Sequence, residues 1–592
     1  MGLEVHSSLL TTFAKVLTKP KTDQRIRRFS VYDLEWKPKS YQLRMVGVYD
    51  EDDGYRKYFD IASFLDEECT PLRNGRWFYA HAGGLADLQF VLEEIIKGRP
   101  DWSVEGYTSG SSVVRATLRH GKCTWIFLDS YWLLRAPLRD IAKWIGESKT
   151  GPTENMTQEE REDWYANCPI EELAEYNRND CVVLWRALYQ TQLAFLETGG
   201  QLQATAASSA LYLFRRRFLT APLHPSHFFN EASRPSYYAS RVEVIQQWVD
   251  YPGLYFDINS SFPYAMTFPL PGDMNGMFAK INDVVWQRPF IADVEVEVRD
   301  SFLPPLPRRL RDGRVFFPIG RWRGTYTGID LRLLLDCGGR ILKVYRCWTF
   351  EEFTDLRDFA IEIFKLRKAA NSKFEKEFYK LVLNSPYGKF AEGAEKEGLL
   401  IHPDEAQLKR LNRQLNMLFP GCFIRNYHCY LPHVHVPIAS YITSIARRTL
   451  HQFMDAASEV HYCDTDGFST VDDFPTGLEL GELKVEKTFP KVDGYYRPKL
   501  YAWYDDEELI IKAKGFPKLT KEQFFSLVRG GAVQITRMAR VKENLRKGIT
   551  RPHDQKGKGG KPLVKMLRET TPKRYIYPDG HTRPWHIKEL EK

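Results

Sequence analysis

Two aspartates separated by one residue, Asp464 and Asp466, lie between short apolar runs in the stretch His461 to Phe468. Residues i and i+2 of a strand point to one face, so both carboxylates are expected to project together from a strand end or tight hairpin, with Gly467 in the turn. Carboxylates this close repel each other unless a cation lies between them. Oxygen ligands without a nearby His or Cys favour Mg²⁺ or Mn²⁺ over zinc. The alternative is a solvated acidic hairpin tip, because Asp-x-Asp is common in turns.

Two earlier segments accompany this stretch. Asp257 follows an apolar run and begins the segment Asp-Ile-Asn-Ser-Ser-Phe-Pro, and Lys380 begins the segment Lys-Leu-Val-Leu-Asn-Ser-Pro-Tyr-Gly. In this order, the three segments resemble the three polymerase motifs of family B DNA polymerases. Three ordered matches are a strong signal, whereas any one alone is weak. The resemblance implies DNA synthesis from dNTPs on template and primer DNA.

A second set of acids occupies the first third of the chain. Asp33 and Glu35 share one face of a predicted strand, Asp87 follows later, and Tyr176 lies one helical turn before Asp180. This pattern resembles the three motifs of the 3′–5′ proofreading exonuclease that is fused to many DNA polymerases. The resemblance implies that the four acids hold two metals while the tyrosine orients the attacking water. The alternative places the first two acids on an exposed edge strand and the last on a helix surface.

Two further residues of this region are assigned by position. Lys149 resembles the lysine that contacts the scissile phosphate in the family, although isolated lysines are usually only solvated. Ser130 resembles a ligand of single-stranded DNA. Ala82 and Ala86 replace an Asn and an aromatic residue that grip the primer end in the family, so we expect a weaker grip here.

The polymerase resemblance also assigns residues around nucleotide and metal. Asp257, Asp464 and Asp466 are expected to hold two Mg²⁺ or Mn²⁺ ions, as in two-metal nucleotidyl transfer. Phe262 takes the aromatic position that lies under the sugar and excludes a 2′ hydroxyl. The other nucleotide-binding candidates are Lys368, Lys380, Asn384 and Tyr387.

Helical spacing supports part of this assignment. Lys380, Asn384 and Tyr387 are spaced i, i+4 and i+7 along a predicted helix that begins at Lys380, so they are expected to share one face. Lys368 lies in a basic stretch that is either a second phosphate ligand or a solvated helix face.

Three residues are candidates for DNA contacts. Tyr237 lies in a segment that resembles the linker between exonuclease and polymerase, and Lys499 and Tyr501 resemble the Lys-x-Tyr motif that holds the primer terminus. The last two are expected to share a strand face. Residues 537–574 contain thirteen Lys or Arg against three acids, which indicates either a thumb that grips duplex phosphates or a disordered tail.

Two long spacings between the polymerase motifs narrow the resemblance to one group of family B polymerases. About 120 residues separate Asp257 from Lys380, and about 85 separate Lys380 from Asp464, which is more than short loops require. Protein-primed family B polymerases of phages, viruses and linear plasmids carry insertions at both places. The resemblance therefore implies a terminal priming protein as partner and strand-displacing replication of a linear genome. An ordinary primer-dependent family B polymerase and a non-catalytic nucleic-acid-binding replication factor are the alternatives.

The expected fold is α/β and α+β multidomain, with a ribonuclease-H-like 3′–5′ exonuclease followed by a right-hand polymerase of palm, fingers and thumb. The expected ranges are a basic leader 1–28, the exonuclease 29–215, a linker 216–245 and the polymerase 246–592. Within the polymerase we expect a palm with an insertion at about 272–360, fingers at about 361–390, a second insertion at about 391–434, palm again at 435–510 and a thumb at about 511–592.

Composition bounds this interpretation. A chain of 592 residues with 43% hydrophobic content can build more than one core, and its net charge of +8 is consistent with a polyanionic partner. Nine cysteines without a C-x-x-C pair indicate neither a zinc site nor a disulfide framework. We therefore expect an intracellular protein without a membrane partner, in the host cytoplasm if viral or in an organelle if plasmid-encoded. Residues 1–28 are either an organellar transit peptide or a basic leader.

Overall fold

The computed structural model describes residues 16–110, 112–152, 156–249, 252–516, 518–535, 539–550, 563–567 and 571–591. The first fifteen residues of the expected leader lie outside this part, as does much of the basic stretch 537–574. Residues from 16 onward run along the exonuclease helices, where Leu17 pairs with Leu223. Within the described ranges, no helix combines the length and apolar character that crossing a bilayer requires.

The N-terminal region is built on a mixed sheet with helices on both faces. Its strands are Phe29–Trp36, Leu43–Asp50, Gly54–Tyr58, Trp77–Ala80, Ser103–Ser109, Ser112–His120 and Cys123–Asp129. Its helices are Ile61–Glu68, Asp87–Gly98, Leu138–Trp144, Gln158–Asn167, Ile170–Glu197 and Ala206–Arg217.

The strand Phe29–Trp36 lies inside this sheet. It pairs antiparallel with Leu43–Asp50 and parallel with Trp77–Ala80, and the long helix Ile170–Glu197 packs across it. The alternative of an exposed edge strand is therefore wrong. In a strand inside the sheet with a helix across it, Glu35 is buried and Asp33, on the same face, is half-buried.

The expected second insertion continues the exonuclease sheet. Its strands Glu395–Ile401 and Cys422–His428 pair with each other, and the first also pairs with Ser103–Ser109. The strand Leu415–Phe419 forms the outer edge, and the helix Glu405–Leu411 lies between the first two strands in the chain. This segment thus extends the N-terminal sheet rather than forming a separate arm.

A five-stranded antiparallel sheet forms the polymerase centre. In spatial order its strands are Leu483–Phe489, Gly253–Ile258, Gly467–Thr470, Tyr462–Asp464 and Val242–Val244. The buried helix Val436–Ala456 packs beside it and against the short helix Ser261–Met266. The linker before the sheet contains the helix His227–Ser233.

The expected first insertion forms a four-stranded antiparallel sheet of its own. The strands are Leu270–Phe278, Arg340–Phe353, Phe290–Val298 and Gly320–Thr327, with the helices Asp283–Trp286 and Gly328–Asp336. Alternation in the third of these strands buries Val294 and Val296 and leaves the intervening acids on the outer face. A buried ion pair at 2.9 Å between Asp330 and Arg447 joins this sheet to the palm helix.

Two helices occupy most of the range expected for the fingers, Asp355–Ala369 and Lys373–Asn384, and a short helix Tyr387–Phe390 follows. The second helix begins at Lys373, with a capping box between Ser372 and Glu375, rather than at Lys380 as expected. It ends at Asn384, two residues before Pro386, which lacks the backbone N–H that another helical turn would use, although Ser385 itself keeps helical φ and ψ. The expectation that Tyr387 continues this helix is wrong.

The C-terminal part divides among three places. The strands Lys491–Arg497, Leu500–Asp505 and Glu508–Ala513 and the helix Lys521–Val528 form a small unit, with Ala532–Ile535 paired to Leu563–Met566. The helix Val541–Leu545 packs into the exonuclease core. The final elements are Tyr575–Ile576, Thr582–Arg583 and Ile587–Leu590, and Ile587 is buried in the core of the first insertion.

Candidate active sites

Three acids from two distant segments meet at the strand ends of the palm sheet. In the antiparallel register, Asp257 lies opposite Gly467, and Asp464 is also paired with Gly467 across the hairpin. The backbone N–H of Ile258 donates to the carbonyl of Asp466 at 2.8 Å, which ties the hairpin turn to the neighbouring strand. The predicted hairpin is therefore observed. Its turn consists of Thr465, with a positive φ of 69°, and Asp466, so the expectation that Gly467 lies in the turn is wrong: Gly467 begins the second strand.

Electrostatic repulsion is visible within this group. Partial burial, followed by the charges of Asp257 and Asp464, raises the pKa of Asp466 to about 7. A nearby positive charge would stabilise the ionised form of this carboxyl group. The arrangement is suited to a cation bound at the turn.

Two lysines approach the other two acids. Lys484 lies directly across the sheet from Asp257, and its Nζ is 2.7 Å from that carboxylate. Lys499 binds both carboxylate oxygens of Asp464, at 2.6 Å for Oδ2. Sequence reasoning missed Lys484, because its position opposite Asp257 follows from strand register alone.

The Lys-x-Tyr segment differs from its predicted geometry. Lys499 has a positive φ of 62° and lies in the turn between two strands, so it does not share a strand face with Tyr501. Both residues nevertheless contact Tyr462. The backbone N–H of Lys499 donates to the hydroxyl of Tyr462 at 2.9 Å, and the Tyr501 ring lies 5.3 Å from the Tyr462 ring. Lys499 and Tyr501 therefore flank Asp464 from one side.

An aromatic surface lies next to the acids. The rings of Phe262 and Tyr387 stack with centroids 4.4 Å apart and planes 15° apart. Burial raises the pKa of Tyr387 to about 12, and the charges of Tyr237 and Asp466 add smaller contributions. The stack joins residues from the first motif and the second motif.

The remaining nucleotide-binding candidates lie on the fingers. Lys380 is about half exposed and lies 3.6 Å from Glu377, and Asn384 donates to the Lys380 carbonyl at 2.9 Å. Both line a cavity of about 280 Å³ between the fingers helix and the exonuclease. Lys368 is exposed and pairs with Glu479.

The four exonuclease candidates converge in the interior of the first sheet. Burial is the main cause that raises their pKa values: Glu35 to about 8, Asp87 to about 7, and Asp33 and Asp180 upward. Repulsion by Glu35, Asp87 and Asp180 further raises the pKa of Asp33, and repulsion by Asp180 further raises that of Glu35. The Oδ1 atom of Asp87 accepts the backbone N–H of Leu34 at 3.0 Å, between the two strand acids.

Lys149 and Tyr176 lie on either side of the fourth acid. Lys149 Nζ is 2.8 Å from Asp180 Oδ2 and 5.1 Å from the centre of the Tyr176 ring. Gly151 lets the lysine loop approach this closely, because a Cβ at that position would lie 2.2 Å from the Tyr176 ring. The Tyr176 hydroxyl is 3.0 Å from that of Tyr165. A cavity of about 550 Å³ opens here, and its lining includes Arg139, Lys143, Lys149 and Arg161.

Two buried polar residues of this site were not predicted. Asn177 donates to both Asp33 and Glu35, and it directly follows the motif tyrosine in the sequence. Asp129 has a pKa raised to about 6 by burial, and it accepts the backbone N–H of Tyr131 at 2.9 Å. Asn177 could not be selected from the sequence alone, because one sequence does not show which residues are buried.

Ser130 occupies a different environment from the one predicted. Its hydroxyl is fully buried, donates to the Ala80 carbonyl at 3.1 Å and lies 3.1 Å from Nδ1 of His81. This position does not present Ser130 to DNA. It orients His81, whose other ring nitrogen is 3.0 Å from the carbonyl of Ala136.

Both acid groups have donor sets suited to hard divalent cations. In the described ranges, no three His, Cys, Asp or Glu side chains are arranged as a complete metal site. Lysines bind Asp257 and Asp464 of the palm group and Asp180 of the N-terminal group. The Oδ1 atom of Asp180 is buried without a hydrogen-bond partner. An orphaned carboxylate oxygen among repelling acids fits a cation that only oxygen ligands hold.

Comparison with known proteins gives the family. Residues 143–465, over half of the chain, match the family described as DNA polymerase type B, organellar and viral. The chain belongs to this family. It is therefore a DNA-directed DNA polymerase by class, and the resemblance to family B polymerases is confirmed. The family also implies dependence on divalent metal.

Individual relatives agree with the family. The DNA-directed DNA polymerase of Enterobacteria phage PRD1 is 27% identical over 466 residues, which cover 74% of this chain and 75% of that protein. A probable DNA polymerase of Neurospora intermedia is 25% identical over 384 residues, 58% of this chain and 38% of that longer protein.

The fold is that of Phi29 DNA polymerase. Its complex with primer-template DNA and incoming nucleotide substrates superposes with a TM-score of 0.70 at 17% identity, over 91% of this chain and all of that one. The multidomain fold class predicted from the sequence is confirmed by this match.

Proposed function

We propose that this polymerase carries out template-directed synthesis at Asp257, Asp464 and Asp466 and proofreads at Asp33, Glu35, Asp87 and Asp180. The observation that carries the first assignment is the meeting of Asp257 with the Asp464–Asp466 hairpin on adjacent strands. Two divalent cations, Mg²⁺ or Mn²⁺, would supply activation of the 3′ hydroxyl and neutralisation of the leaving pyrophosphate when bound there.

The surrounding residues receive roles from their positions. Lys499, beside Asp464, and Tyr501 would hold the primer terminus next to the acids. The Phe262–Tyr387 stack would form the floor under the sugar and base of the incoming nucleotide, with Tyr237 behind it. Lys380 and Asn384 on one fingers helix and Lys368 on the other would bind the triphosphate after the fingers move inward.

The exonuclease role rests on the buried acid group. Lys149 lies beside Asp180, where it would contact the scissile phosphate, and Tyr176 would orient the attacking water. The adjoining basic cavity suits the phosphates of a frayed primer end. Two cations in this site would act on water and on the leaving 3′ oxygen.

We infer primer-template DNA and dNTPs as partners, because the protein with the matching fold is described in complex with both. Protein priming is the finer proposal. It rests on the folded insertion sheet between Leu270 and Phe353, a surface beyond what catalysis requires. An ordinary primer-dependent polymerase is the rival, and either one would act where its genome is copied, in a host cell or an organelle.

The first experiment is dNTP incorporation on primed template DNA with Mg²⁺, with Asp257→Asn as the matched variant. The proposal expects incorporation by the wild type and its loss in the variant while both bind DNA equally. Binding without incorporation by the wild type would favour the non-catalytic replication factor.

The second experiment tests protein priming. Removal of the exposed tip of the insertion, residues 311–313, should suppress addition of the first dNMP to a protein hydroxyl more than extension of a DNA primer, because docking serves one partner and catalysis serves both. Equal loss on both primers would favour the primer-dependent rival.

A further inference from the structure

The amide of Asn177 lies between two exonuclease acids. Asn177 is fully buried, and its Nδ2 is 3.0 Å from Oδ2 of Asp33, 3.1 Å from the Asp33 carbonyl and 3.4 Å from Oε1 of Glu35. A neutral N–H group therefore reaches one carboxylate oxygen of each acid. The second oxygen of each acid stays free of this amide.

A hydroxyl fixes the orientation of this amide. Tyr55 donates its O–H to Oδ1 of Asn177 at 3.0 Å. If the amide turned over, its oxygen would face the carboxylates and its NH₂ group would face the tyrosine hydroxyl. The contact with Tyr55 therefore selects the orientation in which the NH₂ group faces the acids.

A glycine in the neighbouring strand leaves room for the Asn177 amide. Gly47 lies opposite Asp33 in the antiparallel register, and a Cβ added there would lie 1.6 Å from Oδ1 of Asn177. Glycine weakens a strand interior, so its presence there marks a close approach. Gly47 and the Tyr55 hydroxyl thus both contact the Asn177 side chain and fix its position.

This inference rests on the proposed exonuclease function. We propose that Asn177 is a positioning residue of the exonuclease: it holds Asp33 and Glu35 in the orientation that binds divalent cations. A neutral donor can do this without competing with the cation, whereas a lysine in the same place would add a competing positive charge. The alternative is that the amide only fills the core.

The test uses variants that separate hydrogen bonding from volume. Asn177→Leu keeps roughly the side-chain size and removes the donor, and Tyr55→Phe keeps the ring and removes the hydroxyl that orients the amide. Gly47→Ala displaces the amide from the other side. Thr191→Val is the matched control, since Thr191 is a buried polar residue of the same helix whose hydroxyl donates to the carbonyl of Ala187.

Two readouts are required. The first is excision of a mispaired 3′ end, with dNTP incorporation by the same preparation as the test of folding. The second is Mn²⁺ binding measured by calorimetry in chains that also carry Asp257→Asn and Asp466→Asn, so that the exonuclease group dominates the signal.

We expect Asn177→Leu to lower excision and Mn²⁺ affinity by roughly 10- to 100-fold, the usual range for groups that orient metal ligands. Tyr55→Phe should have a smaller effect in the same direction, and Thr191→Val should have none. Adding Gly47→Ala to Asn177→Ala should cause no further loss, because the displaced group is already absent.

Wild-type excision and Mn²⁺ affinity in Asn177→Leu would overturn the proposal and leave the amide as a core filler. If Asn177→Leu also loses dNTP incorporation, Tyr55→Phe decides, and its unchanged Mn²⁺ affinity would overturn the proposal. Failure of the exonuclease assignment is distinguishable: excision would then be absent or insensitive to Asp180→Ala, while the Mn²⁺ titration still tests the role of Asn177.

Discussion

At the scale of residues, each acid group combines carboxylates that repel each other with lysines that offset part of that repulsion. Lys149 pairs with Asp180 in the exonuclease group, and Lys499 pairs with Asp464 in the polymerase group. Each lysine also lies where a phosphate of DNA would approach under the proposed roles. The same side chain can therefore stabilise the acid group and bind substrate.

The stack of Phe262 on Tyr387 predicts sugar selection. Phe262→Val removes the ring that lies under the sugar in the proposed binding mode and opens room for a 2′ hydroxyl. Discrimination against rNTPs should fall by a few kcal/mol, as for a mismatch in a shaped pocket. Competition between rNTP and dNTP incorporation measures it, and unchanged discrimination would assign the steric gate to another residue.

Gly467, which directly follows Asp466, has no room for a side chain. A Cβ at this position would lie 2.7 Å from the Phe256 carbonyl oxygen and 2.7 Å from the Tyr255 ring. We predict that Gly467→Ser displaces the hairpin and slows dNTP incorporation by about tenfold or more.

A second substitution tests this steric cause. Tyr255→Val removes the ring and should restore part of the rate in the Gly467→Ser background. Undiminished incorporation by Gly467→Ser alone would show that the hairpin tolerates the larger side chain.

The acids of both groups could be predicted from the sequence because they are carried by short motifs. The contacts that these acids make with their partners could not. Asn177 and Lys484 contact acids that are distant in the chain or across a register, and Lys499 reaches Asp464 from a turn with positive φ. Such contacts depend on tertiary packing rather than on local spacing.

At the scale of elements, the first insertion is joined to the palm by a buried charge pair. Asp330 accepts from Arg447 at 2.9 Å and from Ser444 at 2.7 Å, and both charged side chains are about 2% exposed. Asp330→Ala would leave the guanidinium of Arg447 buried without its partner. The free energy of unfolding should fall by about 3–5 kcal/mol.

Denaturant unfolding measures this change. Asp312→Ala is the matched control, because Asp312 pairs with Arg314 at an exposed site. We expect near wild-type stability in the control. Similar stability of both variants would mean that the Asp330 pair does not join the two elements.

Element boundaries show where sequence reasoning succeeds and fails. The strand Phe29–Trp36 and the palm hairpin were predictable from alternation and spacing. Pro386 indicated a helix end near Asn384, but the prediction gave more weight to the i, i+7 spacing of Lys380 and Tyr387. The pairing of Glu395–Ile401 with Ser103–Ser109 had no local signal, because the two strands lie far apart in the chain.

At the scale of the whole molecule, the raised carboxyl pKa values predict how stability depends on pH. Glu35, Asp87 and Asp466 have pKa values of about 7–8 in the fold, against about 4 in an unfolded chain. The folded chain therefore binds more protons than the unfolded chain between these values, and stability falls as pH rises. Buried histidines with pKa values of about 4 oppose this below about pH 6.5; they are His81, His435 and His451.

The effect of these acids on stability is therefore best measured between about pH 6.5 and 8, above the range in which the histidines oppose it. In EDTA, the melting temperature should fall as pH rises through this window, and Mg²⁺ should reduce the fall because cations stabilise the ionised acids. Glu35→Gln should make the EDTA curve flatter. Parallel curves with and without Mg²⁺ would contradict this account of the acid groups.

The central claim is that one chain holds two independent carboxylate sites. The measurement that tests it most directly follows Asp466→Asn and Asp180→Ala on one labelled primer-template with a mispaired 3′ end, with and without dNTPs. Asp466→Asn should lower incorporation by on the order of 10³-fold and leave excision intact, and Asp180→Ala should abolish excision and leave incorporation intact. Comparable incorporation by Asp466→Asn, or excision unchanged in Asp180→Ala, would contradict the claim.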